Sequence, residues 1–232
     1  MRLRRIAVPF SDRALNRLLR AVDQRKDQSY VLYTMDQDQL GYITFPLGNL
    51  IKPEVRQLAR IFGLPVAEKE ESQEICFVGK GSYAEFVAKR RPDVTRPGEI
   101  VTTSGETVGQ HKGLVHHTIG QRKGLPGGSP RPMYVIDIDP ATSSVIVGEA
   151  EDLMTEEFTI DHCTWHGQAA EPFEVNVKIR YAHPGANATV YPGENGEARV
   201  RLHVPQRAVT PGQAAVCYRG DEVLGGGWIV RQ

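Results

Sequence analysis

The apolar positions change rhythm near Pro97. Ahead of it they recur at helical spacing, with Leu15, Leu18, Leu19 and Val22 on one predicted helical face. A second helix is predicted from Lys52-Pro53, since proline suits the first helical position and Val55, Leu58, Ala59 and Phe62 form an apolar stripe. Gly63 then supplies a left-handed cap and Pro65 blocks continuation. Ser82-Tyr83-Ala84-Glu85 reads as a capping box that opens a short helix through Phe86 and Val87 to Lys89-Arg90-Arg91, ended by Pro92.

Beyond Pro97 the pattern is that of strands. Ile100-Val101 and Val108 flank a Ser104-Gly105 turn, and Tyr134-Val135-Ile136 and Val145-Ile146-Val147 flank Asp139-Pro140-Ala141-Thr142, so both predict hairpins. Phe173, Val175, Val177 and Ile179 alternate with Glu174, Asn176, Lys178 and Arg180, which is the signature of a half-buried strand. Val190, Val200, Leu202 and Val204 continue the theme around the Gly193–Gly196 turn, while Gly225-Gly226-Gly227 reads as a bend between strands. Short strands at this spacing predict a small antiparallel barrel or sandwich for the last part of the chain. No internal repeat or low-complexity segment interrupts it.

Composition narrows the class. A chain of 232 residues makes one large domain or two to three small ones and needs no disulfide staple. No apolar run approaches the roughly 20 residues of a membrane span, and the apolar part of MRLRRIAVPF is too short for a signal peptide. Three scattered cysteines, Cys76, Cys163 and Cys217, point to reduced thiols in a cytoplasmic protein. The 28 basic and 28 acidic side chains cancel, yet residues 1–35 carry eight Lys/Arg against three Asp/Glu and residues 79–131 carry nine against four. Basic blocks of this kind permit a localised anionic partner such as nucleic acid.

Few residues invite chemistry on their own. Cys76 sits in Ile75-Cys76-Phe77-Val78, which reads as a buried strand, and Glu68, Glu70, Glu71 and Glu74 nearby disfavour a thiolate. His111, His116, His117, His162 and His166 lack the spacing of a zinc site, so turn histidines are expected. Cys163 and Cys217 lie in strand-like text and are expected in or near a core. Thr118-Ile119-Gly120-Gln121-Arg122-Lys123-Gly124-Leu125 is a glycine-bounded basic loop that suits phosphate oxygens and equally suits a solvated turn.

Six motifs follow one another in a recognisable order: Lys26-Asp27-Gln28-Ser29-Tyr30, Phe45-Pro46-Leu47-Gly48 with Lys52-Pro53-Glu54-Val55-Arg56, Ser72-Gln73-Glu74-Ile75-Cys76-Phe77, Gly109-Gln110-His111-Lys112-Gly113 through Thr118–Gly124, Arg180-Tyr181, and Thr210-Pro211-Gly212-Gln213-Ala214. From about residue 18 onward the series resembles the bacterial tRNA-specific 2-thiouridylase family (MnmA type). No single motif carries the resemblance; their order and spacing do.

The resemblance implies an α+β, mainly β chain. Residues 1–78 would be the remnant of an α/β ATP-binding domain, 79–150 a small central domain and 151–232 an antiparallel β-barrel. It implies ATP-dependent replacement of the C2 oxygen of the wobble uridine by sulfur, in tRNAs for Gln, Lys and Glu. Cys76 matches the persulfide-carrying cysteine, and the sulfur would come from a cysteine desulfurase or a sulfur-relay protein. Lys26, Asp27, Gln28, Arg180, Tyr181 and Gln213 match tRNA-contacting positions, and Arg122 and Lys123 are the loop cations placed to join them. No metal is expected beyond the Mg that accompanies ATP, and no membrane partner. The family's S-G-G-x-D-S pyrophosphate loop and its first catalytic cysteine find no match, nor does residues 1–17 as a whole. Two readings follow: a sulfurtransferase acting through Cys76, or a non-catalytic tRNA-binding fragment in which residues 79–232 fold alone. On either, the first 78 residues are expected to lose the packing partner of their apolar faces.

Overall fold

The computed structural model describes residues 2–6, 15–65, 67–68, 83–127, 131–167 and 170–231, which divide into two compact units. The first joins residues 1–69 to 156–205 and 209–232; the second holds 70–155 with 206–208. Cys76 lies outside the described residues, as does Ser82 of the capping box.

Strands are numbered along the chain. The first unit is built on β1 (Arg2–Ile6), β2 (Leu15–Leu19), β7 (Met154–Trp165), β8 (Phe173–Lys178), β9 (Ala186–Pro192), β10 (Ala198–Arg207), β11 (Ala214–Arg219) and β12 (Glu222–Ile229). Six of them run in the order β12-β11-β8-β9-β10-β7, and β7 pairs back onto β12 to close the barrel that the strand pattern predicts. Its interior is filled by Phe158, Ile160, Val177, Ile179, Val190, Val200 and Cys217, all on the inward side of alternating strands. Val204 departs from the expected theme: β10 pairs with β9 only through Leu202, and Val204 is exposed.

Gly225-Gly226-Gly227 is not a bend. It lies inside β12, where the chain is squeezed between β11 and β7. A Cβ on Gly226 would sit 2.2 Å from the Ala215 carbonyl oxygen, and one on Gly227 would sit 2.5 Å from that of Asp161. Glycine is needed there for close backbone approach, a reason that local sequence cannot reveal.

The outer face of β11 and β12 is covered as well. Leu18, Tyr30, Tyr33 and Leu40 are buried against Ala214, Val216, Tyr218 and Val223. Residues 15–40 therefore do have a packing partner, the outside of the barrel, contrary to expectation. The predicted helix at Leu15–Val22 is also corrected: Leu15–Leu19 is β2, paired antiparallel with β1 from Leu15↔Ile6 to Leu19↔Arg2, and touching β12 at Glu222. Spacing at 15, 18, 19 and 22 fits a helix, but only Leu18 and Leu19 are buried and Val22 is half exposed, so pairing and packing override the local pattern.

Helix α1 (Gln37–Tyr42) is closed by a capping box in which the Asp36 carboxylate accepts from Gln39 N and Gln39 Oε1 accepts from Asp36 N. Helix α2 (Lys52–Ile61) stands where Pro53 predicts it, and Gly63 follows with φ of 65°. Its expected apolar stripe buries no residue, and Ile61 and Phe62 are exposed.

The second unit holds α3 (Tyr83–Ala88) and the strands β3 (Gly98–Thr102), β4 (Thr107–His111), β5 (Tyr134–Asp139) and β6 (Ser144–Gly148). Both expected hairpins are present. They join through a parallel β3–β6 pairing into the order β4-β3-β6-β5, around Ile100, Leu114, Val135, Val145 and Val147.

His166 is buried where β7 leaves the barrel. Its Nδ1 lies 3.1 Å from the Val223 carbonyl oxygen and its Nε2 3.0 Å from that of Tyr33. A neutral imidazole carries one N–H, so it donates to only one of them. Burial pushes His166 below its ordinary 6.5, and burial does the same to His117, with His111 and His116 adding repulsion. The unfolded chain then takes up protons that the folded chain rejects. Stability is accordingly expected to be full above about pH 6.5 and to fall as the pH drops below it. Urea midpoints at pH 7.5, 6 and 5 check this, and His166→Gln should flatten the decline.

Candidate nucleic-acid interface

Two segments far apart in sequence meet on the first unit. The Tyr181 hydroxyl donates to the Asp27 carbonyl oxygen at 3.1 Å, and Gln28 Nε2 donates to the Tyr181 oxygen at 3.2 Å. The Tyr181 ring makes a T-shaped pair with Tyr30, with centroids 5.9 Å apart, and remains 45% exposed. Asp27, Gln28 and Tyr181 are thus brought together, and Lys26 and Arg180 are exposed neighbours of the same contact.

Asp27 is occupied internally. Its Oδ1 accepts from Ala21 N (2.9 Å) and Ser29 N (3.2 Å), and its Oδ2 accepts from the Ser29 hydroxyl at 2.6 Å. This is an Asx-type turn that shapes the Lys26–Ser29 segment. Ser29 Oγ in turn lies 3.3 Å from the Tyr218 hydroxyl on β11. Gln213 is exposed, beside Ala214, whose carbonyl accepts from the Tyr30 hydroxyl at 2.7 Å. Burial holds the Tyr30 and Tyr218 hydroxyls up to about 12, so both remain protonated donors.

Lys178 and Arg20 belong to the same patch although sequence reading passed over them. Lys178 Nζ lies 5.9 Å from the Tyr181 ring centroid, and the Arg20 guanidinium lies 3.8 Å over the Tyr218 ring. Burial, then the Arg20 charge, pushes the Lys178 ammonium below its ordinary value, while Asp27 opposes this. Lys178 was visible only as a polar position in an alternating strand, which carries no hint of a partner on residue 20.

Arg122 and Lys123 are exposed on the second unit, at the tip of the predicted loop. The loop is built rather than loose. Thr118 N donates to Gln121 Oε1, Gln121 Nε2 donates to the Lys123 carbonyl, and Gly120 N and Val135 N tie it to β5. Gly120 and Gly124 take φ of 85° and 81°, which their lack of a Cβ permits.

The remaining chemistry is quiet. Cys217 is fully buried and Cys163 half-buried; burial, followed by Asp161 and Glu197, raises the Cys163 thiol to about 12, and burial pushes Cys217 up further. Among the described residues no group of three His, Cys, Asp or Glu side chains could hold a metal ion. No described helix is long and apolar enough to cross a membrane. The α2 N-terminus already faces carboxylates, with Ile51 N donating to Glu54 Oε2 and Lys52 N to Asp23 Oδ2.

Comparison with known proteins identifies the family. Three family models match in succession: the tRNA methyl transferase HUP domain at residues 4–80, the tRNA methyl transferase PRC-barrel domain at 84–149 and the aminomethyltransferase beta-barrel domain at 155–229. The first begins ahead of residue 18, where the motif resemblance starts. As a class, two of the three descriptions name enzymes that modify tRNA. The tRNA-specific 2-thiouridylases MnmA of Magnetococcus marinus and Geobacter metallireducens are 48% and 49% identical over 90% and 91% of this chain, covering 59% and 58% of their own lengths. That of Orientia tsutsugamushi is 44% identical over 93% of this chain and 59% of its own. The chain belongs to the tRNA-specific 2-thiouridylase family, and it spans about three fifths of the length of these curated relatives.

Proposed function

We propose that this chain supplies the tRNA grip and one sulfur-carrying cysteine of a tRNA-uridine 2-sulfurtransferase. The observation that carries the reading is the Tyr181 hydroxyl bonded into residues 27–28, which makes one patch of two segments that both match tRNA-contacting positions. Lys26, Lys178 and Arg180 supply cations for phosphate oxygens, and the exposed ring of Tyr181 supplies a face for a base. Gln28 and Gln213 add hydrogen-bonding side chains, while Asp27 positions rather than contacts. Arg122 and Lys123 add a second phosphate-binding loop.

Cys76 is the residue proposed to carry the sulfur as a persulfide, with a cysteine desulfurase or relay protein as donor and tRNAs for Gln, Lys and Glu as acceptors, in the cytoplasm. ATP is the co-substrate proposed for the whole enzyme, with its Mg. The N-termini of α1 and α2 do not fit a triphosphate: Asp36, Asp23 and Glu54 close them, and phosphate there would meet negative charge. The same residues support the non-catalytic tRNA-binding reading as the second choice.

Titration of tRNA at increasing salt tests the proposal. Affinity is expected to fall steeply, because each phosphate contact releases counterions. The double variant Arg122→Ala/Lys123→Ala should lower the log–log slope by about two. Tyr181→Ala should weaken binding at every salt and leave the slope in place, since stacking is not ionic. Binding that ignores salt and all three changes would refute the interface.

A further inference from the structure

The last residues of β10 do not stay with the barrel. Gln206 and Arg207, together with Ala208, belong to the second unit. Ala208 takes φ of 57°, a left-handed backbone that a non-glycine residue adopts only at a cost, and its N–H donates to the Leu153 carbonyl oxygen at 3.0 Å. The turn is therefore set by its surroundings and not by local preference. A Cβ placed on Gly120 would stand 3.2 Å from that of Ala208, so this turn abuts the loop that carries Arg122 and Lys123.

The turn presents Arg207. Its guanidinium lies 4.2 Å over the Tyr134 ring, and the residue stays exposed. Tyr134 opens β5, and the residue after it holds the loop: Val135 N donates to the Gln121 carbonyl at 2.9 Å, and the Val135 carbonyl accepts from Gly120 N at 2.7 Å. Stacking on tyrosine occupies the face of a guanidinium and leaves the N–H groups around its edge able to donate. Among the described residues no carboxylate pairs with Arg207, and no acceptor takes its side-chain N–H groups. The carboxylates that follow β6 are engaged elsewhere. Glu149 pairs with Arg131 at 2.7 Å, Asp152 accepts from Glu149 N at 2.8 Å, and the Glu151 charge acts on Arg131 as well.

We propose that Arg207 is a third cation of the Arg122–Lys123 site and takes a phosphate oxygen of the RNA beside those held by the loop. The stack on Tyr134 fixes the guanidinium in advance, so less freedom is lost when its planar N–H fork meets a phosphate. The inference rests on the RNA-binding reading above and adds to it a residue from a distant stretch of the chain.

The test is tRNA titration of the full chain over a range of salt. Arg207→Ala is expected to lower the log–log slope by about one and to weaken binding about tenfold near 0.1 M salt, the effect of one counterion fewer released. Arg207→Lys keeps the charge and loses the fork, so it should retain the slope and bind with intermediate affinity. A urea midpoint equal to the parent's reports an intact fold; should Arg207→Ala shift it, Arg207→Gln, which preserves the length of the side chain, carries the same measurement. A folded Arg207→Ala or Arg207→Gln chain with the parental slope overturns the proposal, even where affinity falls, since a merely structural arginine would leave the slope alone. So does an Arg207→Lys chain whose slope drops as far as that of Arg207→Ala. A parent whose binding ignores salt and is untouched by Arg122→Ala/Lys123→Ala refutes the RNA-binding reading instead.

Discussion

Gly226→Val is expected to unfold the first unit or cost it about 3 kcal/mol or more. Overpacking usually costs about 1–3 kcal/mol when side chains can give way. Here the new Cβ would meet the Ala215 carbonyl oxygen at 2.2 Å and the Val216 Cα at 3.0 Å, and backbone on a paired strand cannot rotate aside. Small domains hold only about 5–15 kcal/mol in total. Gly167→Ala, where an added Cβ meets nothing within 4 Å, is the control and should be neutral. Urea unfolding followed by Trp fluorescence measures both, since Trp165 and Trp228 lie on the two strands that close the barrel. An unchanged midpoint for Gly226→Val would mean that β12 does not run this close to β11.

The second large effect concerns sulfur. After incubation with a cysteine desulfurase and cysteine, mass spectrometry is expected to find the extra sulfur on Cys76 alone, and Cys76→Ser should abolish it. Thiols react as thiolates. Cys163, held up to about 12, has a thiolate population roughly a thousandth that of an ordinary cysteine at neutral pH, and Cys217 is sealed in the barrel core. Neither can compete in the folded chain. Substantial label on Cys163 before unfolding would sink the assignment.

Much of this was legible along the chain, for reasons that differ by element. The hairpins at Ser104-Gly105 and Asp139–Thr142 and the helix at Lys52-Pro53 are punctuated by glycine and proline, whose preferences are local, and they stand where expected. The barrel follows from alternation in Phe173–Ile179, which holds because one face meets the core. Ala214–Tyr218 does not alternate, because both faces of β11 are covered, one by the barrel interior and one by Tyr30 and Leu18. Leu15–Leu19 misleads because its apolar spacing fits a helix, whereas its pairing with β1, invisible in the local pattern, makes it a strand. Glycines 225–227 mislead because glycine marks a turn in sequence and a close approach in space. The candidate interface residues come from motifs, but the bond from Tyr181 to residue 27 spans 154 positions and leaves no trace in spacing. Lys178 and Arg20 matter through such neighbours and were missed for the same reason.

That bond has a thermodynamic side. Because residues 27–28 and Tyr181 form one patch from two segments, an RNA seated on it holds the segment before α1 and the barrel at once. A ligand that binds only the joined state stabilises it by mass action, in proportion to the logarithm of its concentration over its dissociation constant. Peeling residues 15–40 away from β11 and β12 would expose Leu18, Tyr30, Tyr33 and Leu40 and release the RNA in the same event. On the proposed RNA-binding reading, recognition and cohesion of this unit are coupled: whatever loosens the cover on the barrel would weaken the grip on RNA, and bound RNA would protect the cover from opening.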